Sequence, residues 1–333
     1  MSKPQMSSLY VLGGKQRNHV LKDEEEWNQY ESALILKLDA VSGAVQTCVE
    51  YQSPRHVRAH EQSACLFKSG TLVGDLLYAC TSTEVLVFKV PGFDQVNYIS
   101  LPCFNDLHHV MPCRDGTLLV VSTGLDMVVR VTPQGRLIEQ WNVLGGPVWQ
   151  RFSRDIDYRL VESTKPHQSH PNFVFQLGDE LWVTRLHQRD AVCLTDSGKR
   201  IDIALESPHD GVVRNQEIYF TLVDGRVALA NADTLTIDRI FDFKTMDDPD
   251  ALLGWCRGVL PVDDGKLWVG FTRVRKTRFQ ENILWVKRVF KEGMLEKPTH
   301  ISLYDIENNR CLQEFDLEPH GMNIVYSIFR AYE

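Results

Sequence analysis

The residues of this chain best suited to chemistry are histidines that recur at one place in a repeating pattern. His108 stands in Asp106-Leu107-His108-His109, His170 in Ser169-His170-Pro171-Asn172, His209 in Pro208-His209-Asp210-Gly211 and His320 in Pro319-His320-Gly321. Each opens an apolar, strand-like run, and a further run opens with Cys256-Arg257-Gly258. Histidine supplies only 11 of 333 residues, so four at equivalent places point to a shared role. Several neutral imidazoles meeting at one point can hold Fe, Zn, Cu or Mn and leave a coordination position open for water or substrate. With no thiolate nearby, the donor set does not choose between redox iron or copper and Lewis-acid zinc. A lone strand histidine is more often a hydrogen-bonded core residue than a ligand. The recurrence, not any single ring, is what favours a mononuclear metal site on His108, His170, His209 and His320.

Other residues fit around that site. Arg257 occupies the same slot as the histidines and suits an anionic substrate group, its alternative being a structural ion pair. His109 competes with His108, because a one-residue change of register swaps which ring faces inward. Asp210 and Asn172 follow histidines closely enough to orient the rings. Between 145 and 169 lies a polar cluster of Arg151, Arg154, Asp155, Asp157, Tyr158, Arg159 and His167. Tyr158 or His167 could act from there as acid or base, against the plainer reading of a solvated loop. His19, His56, His60, His187 and His300 fall off the repeated position and read as surface or structural residues.

The elements that carry these residues are short β-rich runs separated by turn signals. The clearest set reads HHVMPCRDG, TLLVVSTGLD, MVVRVTPQG, RLIEQWNV, with DG and QG at the hairpin turns. Copies follow from HPNFVFQLGD, from PHDGVVRNQ and from WCRGVLPVDDG, and one precedes at FKSGTLVGD. Self-similarity at about 40–50 residues marks propeller blades of four strands. Three N-terminal runs (SLYVLGG, ALILKLDA, AVQTCVEY) and one C-terminal run (GMNIVYSIF) remain, and together they complete a sixth blade. Closing the ring with both chain ends leaves no open sheet edge. The expectation is an all-β, six-bladed β-propeller forming one domain over 1–333, with a two-domain β-sandwich as the alternative. Insertions at about 15–32, 145–169 and 275–298 fall in connections on the histidine end and read as lids over a ligand site.

Composition sets limits on function. The chain is 43% hydrophobic and 24% charged, enough for a packed core. A net charge of -8 argues against nucleic acid as the main partner, since neutralising phosphates needs a basic footprint. No run of about 18 apolar residues occurs, and the N-terminus lacks the apolar stretch of a secretory signal. These features predict a cytoplasmic protein without stable membrane insertion. The eight cysteines show no CxxC spacing and read as buried free thiols. Residues 279–290, flanked by Arg273, Arg275, Lys276 and Arg278, read as a cap on the channel or an oligomer contact. No dinucleotide, P-loop, nucleophile-elbow or HExxH motif is present.

A six-bladed ring with inner-strand histidines and a channel arginine resembles the peptidyl-hydroxyglycine amidating lyases, which use a histidine-bound zinc. It is also similar to the arylsulfotransferases, whose channel uses His and Arg without a metal ligand role. The all-histidine set at His108, His170, His209 and His320 resembles that of the seven-bladed carotenoid oxygenases, which hold iron. The likeness covers the repeat grammar, these histidines and Arg257 only. The first two families are typically exported and disulfide-bearing, features this chain does not show, so their substrates do not transfer. The leading expectation is a metal-dependent enzyme, a lyase, hydrolase or oxygenase, acting on a small organic substrate whose anionic group Arg257 holds. Metal-free, histidine-based group transfer is the second expectation. A protein-binding propeller with structural histidines is the third.

Overall fold

Alternation of apolar residues along short strands gives each sheet two apolar faces, and six such sheets pack face to face around an axis. The computed structural model describes residues 8–18, 29–248, 250–263, 265–274 and 295–331. Blade 1 begins with β1 (Ser8–Gln16), β2 (Tyr30–Asp39) and β3 (Val45–Tyr51). Blade 2 holds β4 (Thr71–Val73), β5 (Leu76–Cys80), β6 (Val85–Lys89) and β7 (Asp94–Ile99). Blade 3 holds β8 (Leu107–Pro112), β9 (Leu118–Ser122), β10 (Met127–Val131) and β11 (Leu137–Asn142). Blade 4 holds β12 (Pro171–Leu177), β13 (Glu180–Arg185), β14 (Asp190–Cys193) and β15 (Arg200–Asp202). Blade 5 holds β16 (Val212–Arg214), β17 (Glu217–Leu222), β18 (Arg226–Asn231) and β19 (Ile237–Asp242). A short β20 (Ala251–Leu252) precedes blade 6, whose inner strands are β21 (Trp255–Val262) and β22 (Lys266–Thr272). A short β23 (Leu295–Glu296) pairs in parallel with β20, and β24 (His300–Asp305) and β25 (Arg310–Asp316) complete the blade. The last strand, β26 (Ile324–Arg330), returns to pair antiparallel with β1 and completes blade 1. The fold is the six-bladed propeller expected, closed by both ends of the chain.

Strand β9 shows how alternation builds the ring. All five of its residues are buried, yet they differ in destination. Leu118 and Val120 enter the apolar layer shared with blade 2, while Leu119 and Val121 enter the layer shared with blade 4. Every pair of neighbouring blades is joined by such a layer. Each fully buried Val or Leu contributes roughly 1.5–3 kcal/mol, so the ring is held mainly by these layers. Outer strands such as β11 and β25 turn largely to solvent, which is why their sequences are polar. All eight cysteines are free thiols.

The inner strands carry irregularities that the site depends on. Register shifts lie between Leu107 and His109 on β8, and between Cys256 and Val259 on β21. On β26 the pairing jumps from Ser327 to Val325, which leaves Tyr326 as the extra residue. A β-bulge of this kind re-aims the side chain it carries. Gly258 in the β21 bulge has φ +75, and a Cβ there would lie 3.0 Å from the Tyr326 carbonyl oxygen, so glycine suits the position.

Candidate functional site

Each blade delivers one polar or aromatic residue near the start of its inner strand: Lys68, His108, His170, His209, Arg257 and, from blade 1, Tyr326. The ring centroid of His108 lies 4.9 Å from that of His170, 5.7 Å from His209 and 6.3 Å from Tyr326, and those of His209 and Tyr326 lie 5.5 Å apart. The Arg257 guanidinium sits 4.8 Å from the centre of the Tyr326 ring and 5.5 Å from that of Trp255, within cation–π range of both.

His209 is the best-defined member. Its ring is fully buried and its Nδ1 lies 3.1 Å from Asp210 Oδ1. A carboxylate oxygen can only accept here, so Nδ1 carries the proton and Nε2 keeps a free lone pair. The Asp210 carboxylate is itself fixed, its Oδ2 accepting from the Thr221 hydroxyl at 2.8 Å and from the Gly258 amide at 2.7 Å. His209 Nε2 is buried without a hydrogen-bond partner among the described residues. Burial lowers the pKa of His209 and the nearby Arg257 cation adds to this, while Asp210 opposes it. A buried, neutral imidazole with its lone pair unengaged is what a general base or a nucleophile requires.

His108 is also neutral, its pKa pulled down to about 3 by burial and by the Lys68 cation, against the pull of Asp106. Its Nε2 lies 3.6 Å from Asp106 Oδ1, and its buried Nδ1 has no partner among the described residues. Lys68 Nζ bonds to Asp106. Desolvation opposes the charge of Asp106, but Lys68 and His108 outweigh it and hold the carboxyl well below its usual range. The bulge on β8 decides between the two adjacent histidines. His109 is turned into the blade, stacked on Phe173 at 3.6 Å, with Nε2 3.1 Å from the Gly70 carbonyl oxygen and Nδ1 accepting from the Val174 amide at 3.2 Å. Both ring nitrogens of His109 are used, and its role is structural.

His170 is held by its backbone. It adopts φ +56, a left-handed conformation that non-glycine residues enter only when their surroundings hold them there. Those surroundings are Asp126 of the neighbouring blade. Its Oδ1 accepts from the amides of Ser169 and His170, both at 2.9 Å, and its Oδ2 from the Gln168 amide at 2.8 Å and from Arg151 Nη1 at 2.6 Å. The 145–169 insertion is thereby pinned at both Arg151 and 168–170. Burial and the neighbouring imidazoles of His108 and His167 keep the His170 pKa well below its ordinary value. His167 Nδ1 lies 2.9 Å from His170 Nδ1, so one of the two rings donates to the other.

The structure therefore brings His108, His170, His209, Arg257 and His167 together. It places two expected residues elsewhere. His320 is exposed in the 3-10 turn Glu318–His320 that precedes β26, and Tyr326 takes the place on the axis expected of it. The Gly321 turn and the β26 bulge shift the inward residue several positions along the chain. Tyr158 is buried in the apolar layer between blades 2 and 3, packed edge-on against Phe152 at 5.5 Å, and its hydroxyl accepts from the Ser153 amide at 2.9 Å. It anchors the 145–169 insertion to the blades and is not grouped with the histidines. Asn172 donates to the Pro208 carbonyl and does not orient a ring. Most of the 275–298 insertion, including the segment 279–290 expected as a cap or oligomer contact, and the span 19–28 of the first insertion lie outside the described residues.

Three members of the site were not found from the sequence. Lys68 carried a usable signal, since FKSG stands before its inner strand as the histidines stand before theirs. Tyr326 and Asp126 carried none, because one is an aromatic residue in an apolar strand and the other is distant from every axial histidine in sequence.

No group of three His, Cys, Asp or Glu side chains among the described residues is placed to hold a metal ion. The four-histidine set expected from the sequence is not assembled, since His320 stands apart. Among the described residues no helix is long and apolar enough to cross a membrane.

No protein-family model matches the chain, and no curated protein matches it either. Among solved structures, a protein of unknown function from Bacteroides caccae superposes with a TM-score of 0.61 at 12% identity, covering 98% of this chain and 100% of its own. A chain from the crystal structure of a nidogen/laminin complex superposes with a TM-score of 0.57 at 8% identity, covering 96% of this chain and 97% of its own. At such identities the likeness concerns the fold alone.

Proposed function

We propose that the axial constellation is the active site of an enzyme that acts on a small ester of an oxyanion, sulfuryl or phosphoryl, by histidine-based group transfer. One observation carries this reading: the unengaged His209 Nε2, backed by Asp210, lies beside Arg257, a cation with no carboxylate partner among the described residues. Arg257 is suited to hold the oxyanion, its planar fork matching two oxygens at once. The His209 Nε2 lone pair then forms a bond to the sulfur or phosphorus. The ester oxygen leaves with the bonding pair and takes a proton from solvent. Asp210 keeps Nδ1–H and offsets the positive charge that develops on the ring. Water or an acceptor hydroxyl removes the group from nitrogen, losing its proton as it does so. The arylsulfotransferase resemblance agrees with this use of His and Arg.

A mononuclear metal centre is the second reading, favoured by the two buried, unpartnered nitrogens His108 Nδ1 and His209 Nε2. An ion such as Fe or Zn would supply Lewis-acid or redox chemistry there, with the remaining positions taken by water or substrate.

The test is release of 4-nitrophenol from its sulfate and phosphate esters, with phenol present as acceptor, alongside elemental analysis of untagged protein. The reading predicts turnover by the wild type, at least a ~100-fold lower kcat in His209→Ala and a raised KM in Arg257→Gln. Stoichiometric metal lost in both His108→Ala and His209→Ala would replace it with the second reading. Neither turnover nor binding of these esters by the wild type would leave a binding propeller.

A further inference from the structure

Beside the axial site lies a cleft of about 90 Å³, between the loop after β3 and the 145–169 insertion. Asp106, 3.6 Å from His108, and His167, 2.9 Å from His170, line it, so two of its walls are in contact with the histidine cluster. Its other charged walls are Arg58, Arg159, Lys165 and Glu162. The carboxylates are engaged already: Asp106 bonds to Lys68, and Glu162 lies 3.1 Å from His60 Nε2. Arg159 is held on Asp157 through Nε at 2.8 Å and Nη2 at 2.6 Å. Arg58 differs. Its backbone is fixed, since Arg55 Nη1 donates to its carbonyl at 3.0 Å, and its own Nη1 reaches the Glu61 carbonyl at 3.3 Å. Its Nε, however, is shielded from solvent without a hydrogen-bond partner among the described residues, and no carboxylate there pairs with it. A buried donor left unpaired carries a desolvation cost that a bound acceptor removes. The lining of the cleft holds three cations, Arg58, Arg159 and Lys165, against two carboxylates, Asp106 and Glu162, in a chain whose net charge is -8.

We infer that this cleft is a second oxyanion subsite, centred on Arg58, and that the substrate carries two oxyanion groups, one seated in the cleft and the other on Arg257 at the axis. The first of these seats stands on the geometry of the cleft, whereas the second rests on the axial reading proposed above. A substrate spanning both would carry its reacting group at His209 and its anchoring group at Arg58. Binding energy gained at the anchoring group is then available to position the reacting one.

Calorimetric titration of the full chain with inorganic phosphate separates the two seats. The wild type is expected to bind two phosphates, and Arg58→Gln and Arg257→Gln one each, with the remaining site within about twofold of its wild-type Kd, while far-UV circular dichroism reports an unchanged fold. Arg58→Lys, which keeps the charge but lacks Nε, is expected to retain the cleft site at least ~10-fold more weakly. Two sites persisting in Arg58→Gln would overturn the cleft inference and leave the axial reading standing. Two sites persisting in Arg257→Gln would overturn the axial reading instead. No binding by the wild type would overturn both.

Discussion

Two buried polar clusters lie in neighbouring parts of the propeller, and they are built to opposite rules. In blade 2 the fully buried Glu84 carboxylate accepts from Tyr51 Oη at 2.6 Å, Thr81 Oγ1 at 2.7 Å, Tyr98 Oη at 3.0 Å and Ser53 Oγ. Four hydroxyls surround one carboxylate, and burial with this contact drives the Tyr51 and Tyr98 phenols far above their ordinary range. On the axis, by contrast, His108 Nδ1, His209 Nε2 and Arg257 Nε are buried with no partner among the described residues. A satisfied cluster offsets its desolvation within the fold, whereas an unsatisfied one retains a cost that a ligand can remove. On the reading proposed above, the difference separates a polar group kept for structure from one kept for binding.

Substitution can test this contrast, and the largest effect is expected at Glu84. Glu84→Ala leaves four hydroxyls without their acceptor and should cost about 4 kcal/mol in denaturant unfolding. A loss under about 1 kcal/mol would erase the distinction between the clusters. Asp126→Ala comes next, at about 3 kcal/mol, because three amides and Arg151 lose a shared carboxylate. The same variant should lower turnover or anion affinity through His170, and rescue of function by Asp126→Glu would tie the effect to positioning.

A third test uses pH. Burial pulls His109 down to about 3, below the value of an unfolded imidazole near 6.5. The unfolded chain therefore binds the extra proton between these limits, so the contribution of His109 is complete above about pH 6.5 and is lost as pH falls toward 3. Replacing it by Gln should flatten the fall of unfolding free energy between about pH 5.5 and 4 by ~1.4 kcal/mol per pH unit. An unchanged slope would mean that the ring is already charged in the folded protein. The smallest stability effect is expected at His209. Asp210 keeps its bonds from Thr221 and Gly258 when the ring is removed, so His209→Asn should change stability by less than about 1 kcal/mol. A cost equal to that of Glu84→Ala would place His209 with the structural cluster.

The six blades and the closure of the ring were legible in the chain before any contact was known. Strand β9, with Leu118 and Val120 on one side and Leu119 and Val121 on the other, states its packing in its own alternation, because a period of two is a local property. The recurrence of His108, His170, His209 and Arg257 at the starts of inner strands was legible for the same reason. Which side chain each inner strand turns to the axis was not. One extra residue in a strand moves every later side chain to the other face. Bulges on β8 and β26 therefore chose His108 over His109, and put Tyr326 in the place expected of His320. Asp126 holds the His170 backbone from 44 residues away in the chain, and no local pattern encodes a contact that exists only once two blades have packed together.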